Sequence, residues 1–175
     1  MNKITSTLFS YCPKCGLMSL TQTSDKSFLC NDCGFVFYLN TAASVAGIIL
    51  GREERLLVVV RKYDPAKGSW DLPGGFIDAD ESAEDAVVRE VKEELNLEVT
   101  KIKYFGSFPN TYVYGDVTYS TLDITFVCEV RSLENIQASD DAESYKFVSL
   151  DNIDLEKFGL LSMRKIVAEY IKRHI

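Results

Sequence analysis

Four of the five cysteines sit in two matching frames, Cys12-Pro-Lys-Cys15-Gly16 and Cys30-Asn-Asp-Cys33-Gly34, with fourteen residues between the pairs. No other feature restricts the first forty residues so strongly. A stretch that short cannot bury enough apolar surface to fold unaided and needs a staple. A C-x₂-C turn brings two sulfurs to one point, and the glycine after each pair can take a left-handed backbone that wraps a metal closely. Two such turns on facing hairpins complete a tetrahedral thiolate shell for zinc, with Zn–S near ~2.3 Å. The competing reading, two redox C-x-x-C pairs, lacks a surrounding βαβ pattern. Cys12, Cys15, Cys30 and Cys33 are therefore expected to hold a structural Zn²⁺, and Cys128, in an apolar run, to be a core thiol.

Composition changes near residue 40. Residues 1–40 contain no glutamate and carry a formal charge of +1, so the rest of the chain holds more than the total of −7. The expected domains are a zinc ribbon over 1–40 and a larger domain over 41–175. In the latter, Ser44–Leu50 and Leu56–Lys62 read as strands joined by a hairpin turn at Gly51–Glu54. Ser82–Leu95 reads as a helix, because Ala83, Val87, Val91 and Leu95 form one apolar stripe. Glu98–Phe108, Thr118–Val130 and Tyr145–Leu150 read as further strands, and Leu160–Ile171 as a closing amphipathic helix. Strands mixed with two helices predict an α/β class chain, an α/β/α sandwich around a mixed sheet.

Several function classes are disfavoured. Apolar residues at 46% and charged residues at 26% exclude wholesale disorder and a coiled-coil rod. No apolar run approaches a membrane span, and Met1–Phe9 contain no apolar leader. Reduced cysteines then make the cytoplasm the expected compartment. A net acidic chain is a poor general polyanion binder, and a ribbon with three lysines and no arginine argues against nucleic acid as a partner.

The helix Ser82–Leu95 carries the chemistry. Ser82 is a good N-cap with Asp85 three residues on, and Glu84 and Asp85 suit the positive end of the dipole. The other end is anomalous. Glu90, Glu93 and Glu94 crowd one face, at i, i+3 and i+4, where the dipole is negative. Lys92 points elsewhere. A hard divalent cation such as Mg²⁺ resolves the conflict, since it takes carboxylate oxygens and keeps room for substrate phosphates. Arg89 can brace Glu93 or reach a phosphate. The Gly74-Gly75 pair permits close backbone approach, so a carbonyl there can join the metal shell.

Gly75-x₅-Glu81-x₇-Arg89-Glu90-Val91-x-Glu93-Glu94-x-Asn96-Leu97 resembles the Nudix box, G-x₅-E-x₇-R-E-U-x-E-E-x-G-U, where U is aliphatic. The single departure is Asn96 in place of glycine, a residue also suited to a left-handed helix end. Trp70-x-Leu72-Pro73-Gly74-Gly75 resembles the strand that enters the box. A zinc ribbon directly before it resembles the NADH pyrophosphatase-like branch. That branch carries Ser-Gln-Pro-Trp after the box; here Ser107 and Pro109 match, and Phe108 and Asn110 do not.

The resemblance implies a Nudix-type fold and hydrolysis of a nucleoside diphosphate linked to another group, with NADH, NAD or ADP-ribose as candidate small-molecule nucleotide substrates. It implies that Glu90, Glu93 and Glu94 bind Mg²⁺ or Mn²⁺ with the Gly74 carbonyl, that Arg89 orients them, and that Glu81 supports the site or a further metal. It also implies a homodimer. Glu93 is one candidate general base; in some family members a carboxylate in a later loop takes that role, and here the acidic loop Asp140–Glu143 offers Asp141 and Glu143, its alternative reading being an ordinary solvated turn. Tyr112, Tyr114 and Tyr119 are candidates for stacking on a base. His174 reads as a terminal surface residue. Two other readings are a Nudix-fold regulator that binds a nucleotide metabolite without hydrolysis, and processing of RNA 5′ ends.

Overall fold

The computed structural model describes residues 9–115 and 117–174. The leader-free reading of the chain start falls mainly on residues 1–8, which lie outside the described residues. The chain divides into two compact units, Met1–Thr41 with Val113–Tyr119, and Ala42–Tyr112 with Ser120–Ile175.

The first unit is a small antiparallel sheet of β1 (Leu20–Ser24), β2 (Ser27–Cys30) and β3 (Val36–Tyr38), in that order. Its apolar packing centres on one aromatic cluster. Phe9, Phe28 and Phe37 pack with ring centroids between 5.4 and 6.1 Å apart. Tyr38 is exposed. So small a core matches the expectation that something besides hydrophobic burial must hold this unit together.

The second unit contains β4 (Ala42–Ile48), β5 (Leu56–Arg61), β6 (Trp70–Asp71), α1 (Ala83–Leu95), β7 (Val99–Tyr114), β8 (Val117–Val130), β9 (Ala142–Val148) and α2 (Leu161–His174), with the tip of β7 and β8 assigned to the first unit. One sheet runs β4-β8-β7, with β4 and β8 parallel. The other runs β6-β5-β9 and is antiparallel. Strand alternation feeds two cores. Val45, Ile49, Leu57 and Val59 face Val87, Val91 and Leu95 of α1. Ala46, Ile48, Leu56 and Val58 face Met163, Ile166 and Val167 of α2. This is the α/β/α sandwich with a mixed sheet. Among the described residues no helix is long and apolar enough to cross a membrane.

Two expectations change in detail. The hairpin between β4 and β5 is real only at its base, where Leu50 bridges Leu56 and the Leu57 N–H donates to Ile49. Beyond that the strands part, because the segment Pro73–Ile77 occupies the edge of β4. Val45 N–H donates to Gly75 O, Gly47 N–H to Pro73 O, and Ile77 N–H to Ala43 O. The loop Asp140–Glu143 is also shorter than expected. Strand pairing begins at Ala142, which pairs with Arg61, so Glu143 lies in β9.

Helix α1 is bounded by its caps. The Ser82 hydroxyl accepts from Asp85 N–H at 3.1 Å and donates to the Asp85 carboxylate at 2.6 Å. Asn96 ends the helix in the left-handed region at φ 54° and donates its N–H to Lys92 O, as glycine would. Ser82→Ala should lower the unfolding free energy by about 1 kcal/mol, read as a shift in urea midpoint with an unchanged slope.

Candidate active site

The site forms where Pro73–Ile77 crosses the C-terminal end of α1. Gly74 sits at φ 153°, and a Cβ there would meet Val45 O at 2.0 Å and Ala46 Cα at 3.0 Å. Both obstacles are backbone, so only glycine fits. At Gly75 a Cβ would meet the Glu90 carboxylate at 2.4 Å. The two glycines therefore let the strand pass against β4 on one side and the helix carboxylates on the other. The carbonyls of Pro73 and Gly75 accept from β4, whereas among the described residues Gly74 O accepts no hydrogen bond.

Glu94 is buried at 4% exposure, and its Oε2 accepts from Gly74 N–H at 3.0 Å. Burial pushes its pKa up to about 9, against the lowering effect of the Gly74 N–H; Asp71, Glu90 and Asp141 add to the rise. Glu90 is also raised, by burial first, despite Arg89 beside it.

Arg89 ties the rest together. Its Nε and Nη2 donate to the two oxygens of Glu81 at 2.8 and 2.9 Å. Its Nη1 donates to Glu90 at 2.8 Å and to Glu93 at 3.0 Å, and Nη2 also reaches Phe76 O at 3.1 Å. The bidentate bond to Arg89, with the Asp78 N–H, pushes Glu81 down to about 2. Only a guanidinium spreads five donors over three nitrogens, and Arg89 makes five such bonds, to three carboxylates and one carbonyl.

The end of the helix is closed by the loop before β9. Gln137 N–H donates to Leu95 O and Ser139 N–H to Glu94 O, while Lys62 N–H donates to Asp141 O. These bonds satisfy orphan helix carbonyls and carry Asp140 and Asp141 to the rim of a cleft of about 320 Å³. Glu90, Glu93, Gly74, Phe76 and Tyr112 also line that cleft. Phe76 and Tyr112 meet edge-on, centroids 5.6 Å apart, at its mouth. Glu143, in β9, is exposed and does not line it. Tyr114 and Tyr119 fall in the segment assigned to the first unit. A larger groove of about 930 Å³ is lined by Arg52, Arg55, Cys128 and Phe147 and includes none of the box carboxylates. Cys128 is a buried thiol, pushed up to about 12 by burial.

Sequence reasoning passed over residues that build the cleft floor. Asp71 is buried, accepts from Arg61 Nη1 at 2.5 Å and from Leu72 N–H at 2.9 Å, and is pushed up to about 6 by burial. Asp123, Thr121 and Ser44 are buried and line the same cleft. A signal for them existed: within Thr121–Phe126 the polar residues Thr121, Asp123 and Thr125 alternate with the apolar Leu122, Ile124 and Phe126, which puts three polar groups on one face.

The donor chemistry of the site fits a hard divalent cation, with the oxygens of Glu90, Glu93 and Glu94 not all drawn within 4.8 Å of one another. The donors are all oxygens, Glu94 is a buried carboxylate short of counter-charge, and Gly74 O is free to ligate. In the first unit, the four sulfurs of Cys12, Cys15, Cys30 and Cys33 lie within 4.8 Å of one another, the only such group of three or more among the described residues. Cys12–Cys33 and Cys15–Cys30 are each 3.7 Å apart. The edge of a tetrahedron with Zn–S of ~2.3 Å is about 3.8 Å, so this donor set fits zinc. Gly16 and Gly34 close the two turns at φ 75° and 70°. The Ser19 hydroxyl, first, and the Cys33 N–H push Cys30 down to about 6, whereas, against the Leu17 and Phe35 N–H groups, burial and the crowded neighbouring thiols push Cys15 up to about 12 and raise Cys33.

The profile of the NUDIX domain family matches residues 40–170. The chain belongs to the Nudix hydrolase family. An ADP-ribose pyrophosphatase of Methanocaldococcus jannaschii is 36% identical over 138 residues, which is 77% of this chain and 76% of that one. The NAD-capped RNA hydrolase NudC of Pseudomonas aeruginosa is 30% identical over 145 residues, 81% of this chain and 48% of that one. The chain thus spans about half the length of that NudC relative. A crystal structure of a NUDIX hydrolase from Nitrosomonas europaea shares the Nudix fold, with a TM-score of 0.69 at 18% identity over 95% of this chain and 92% of that one.

Glu94 makes the metal-free Nudix domain sensitive to pH. The native state keeps the Glu94 proton up to about pH 9, while the unfolded chain releases it near 4.5. The native state binds more protons between those values, so stability falls as pH rises through that window. In EDTA, urea midpoints should decline from about pH 5 to pH 9, and Glu94→Gln should flatten that decline.

Proposed function

We propose that this chain is a Nudix pyrophosphohydrolase that cleaves the diphosphate of an ADP-ribose- or NAD-like small molecule and releases a nucleoside monophosphate. The reading rests above all on one observation, the buried Glu94 carboxylate bonded to Gly74 N–H beside the Arg89-braced Glu90 and Glu93. It is supported by the family, and by relatives named for ADP-ribose and for NAD-capped RNA. In this reading residues 1–40 are the zinc ribbon, 41–175 are the catalytic domain, and the working form is the homodimer implied by family resemblance.

Glu90, Glu93, Glu94 and the Gly74 carbonyl would hold Mg²⁺ or Mn²⁺, which neutralises diphosphate charge and lowers the pKa of bound water. The protein's own groups do the positioning. Gly74 N–H fixes Glu94 Oε2, and Arg89 Nη1 holds Glu90 and Glu93 together against their repulsion. Glu81 locks the Arg89 fork from behind. Glu93, the most exposed of the three glutamates, and Asp141 at the cleft rim are the candidates to take a proton from water. Phe76 and Tyr112 offer aromatic surface to a base at the cleft mouth.

With Mg²⁺ or Mn²⁺, the purified protein should release AMP from ADP-ribose or NADH. Glu94→Gln should lower kcat/KM by about a hundredfold or more, and Arg89→Lys should do so too, because an ammonium has three donors on one nitrogen and cannot replace the five bonds Arg89 makes from Nε, Nη1 and Nη2. Absence of metal-dependent turnover over a broad nucleotide panel would refute the assignment. The name of the NudC relatives favours a second reading, in which the NAD-like group is the 5′ end of an RNA. Side-by-side turnover of free NAD and an NAD-capped oligonucleotide separates the two, and the charge of −7 argues for the free compound.

Zinc in the ribbon is checked independently. Metal analysis should find about one zinc per chain, and Cys30→Ser should lose it and destabilise the ribbon.

A further inference from the structure

The floor of the cleft contains a polar group that the metal chemistry does not use. Asp123 lies in β8 directly opposite Ser44 in the parallel register with β4. It is 4% exposed and lines the cleft with Thr121, Asn110 and Tyr112. Its Oδ1 accepts from the Ser44 hydroxyl at 2.5 Å. Its Oδ2 is buried and has no hydrogen-bond partner among the described residues. The neighbouring cation is committed elsewhere, since Arg61 donates to Asp71 and to Pro65 O. Leaving a buried acceptor unpaired costs roughly 1–3 kcal/mol, and such a group in a cleft wall asks for a donor from what binds there.

We propose that Asp123 Oδ2 accepts a hydrogen bond from the nucleoside end of the substrate, from the exocyclic amine of a base or a hydroxyl of its sugar, and so sets specificity. This rests on the hydrolase reading above. Ser44 makes the inference directional. Its hydroxyl donates to Oδ1, so in Asp123→Asn the amide oxygen keeps Ser44 and the NH₂ takes the place of Oδ2. An acceptor in the cleft becomes a donor.

The test compares kcat/KM of the metal-loaded enzyme on ADP-ribose, on its inosine counterpart, in which a carbonyl replaces the amine, and on a deoxyribonucleoside analogue. If the base supplies the donor, wild type prefers the adenine compound by about tenfold or more, and Asp123→Asn reverses the order. If the sugar supplies it, wild type discriminates against the deoxy compound by a similar factor, and Asp123→Asn abolishes only that discrimination. Both ratios staying within about twofold in Asp123→Asn would overturn the proposal. If wild type hydrolyses none of these, ADP-ribose is excluded as the substrate of the hydrolase reading, and calorimetric affinities for AMP, IMP and deoxy-AMP decide Asp123 by the same ratios. Should Asp123→Asn fail to fold, Ser44→Ala frees the carboxylate to turn and should weaken the selectivity; unchanged selectivity there overturns the proposal equally.

Discussion

The bond from Gly74 N–H to Glu94 joins the two halves of the catalytic domain's chemistry. It exists only because the strand segment approaches β4 so closely that Gly74 has no room for a Cβ. Were that approach looser, the carbonyls of Pro73 and Gly75 could not accept from the Gly47 and Val45 N–H groups of β4, and the segment would no longer lie across the end of α1. The positioning of Arg89 depends on the same contact, because one of its donors is spent on Phe76 O in that segment. A single backbone constraint thus places both a carboxylate and the cation that organises its neighbours.

Around this contact the charges are unbalanced by construction. One guanidinium serves Glu81, Glu90 and Glu93, while Glu94 is buried with only a backbone dipole for company. Desolvation then outweighs the local hydrogen bond and raises Glu94. Such an arrangement is costly in the empty protein and becomes favourable when positive charge arrives, a common pattern at sites where stability has been traded for readiness.

Much of this could be read from the chain itself, and the divide follows the range of the interactions. Helix α1 was legible because its determinants are local: the Ser82 cap, the four-residue stripe and the left-handed Asn96 all act within a turn or two. The cysteine quartet was legible because metal geometry restricts spacing. The edge of β4 was not, since Pro73–Ile77 displaces the expected hairpin partner from more than twenty residues away. Glu143 was misplaced for a related reason: pairing of Ala142 with Arg61 begins the strand earlier than composition suggests. Asp71, Asp123 and Ser44 were overlooked because a lone polar residue in an apolar strand gains meaning only when strands remote in sequence set several such residues side by side.

The register of β4 on β8 also bears on how this domain could adapt to heat. Opposite one another in a ladder whose β4 side is otherwise alanine, glycine, valine and isoleucine, Ser44 and Asp123 form a frustrated rung. An apolar pair of matching volume at that rung would relieve it and should toughen the domain. Thermal hardening and discrimination among nucleosides would then pull on the same two codons in opposite directions.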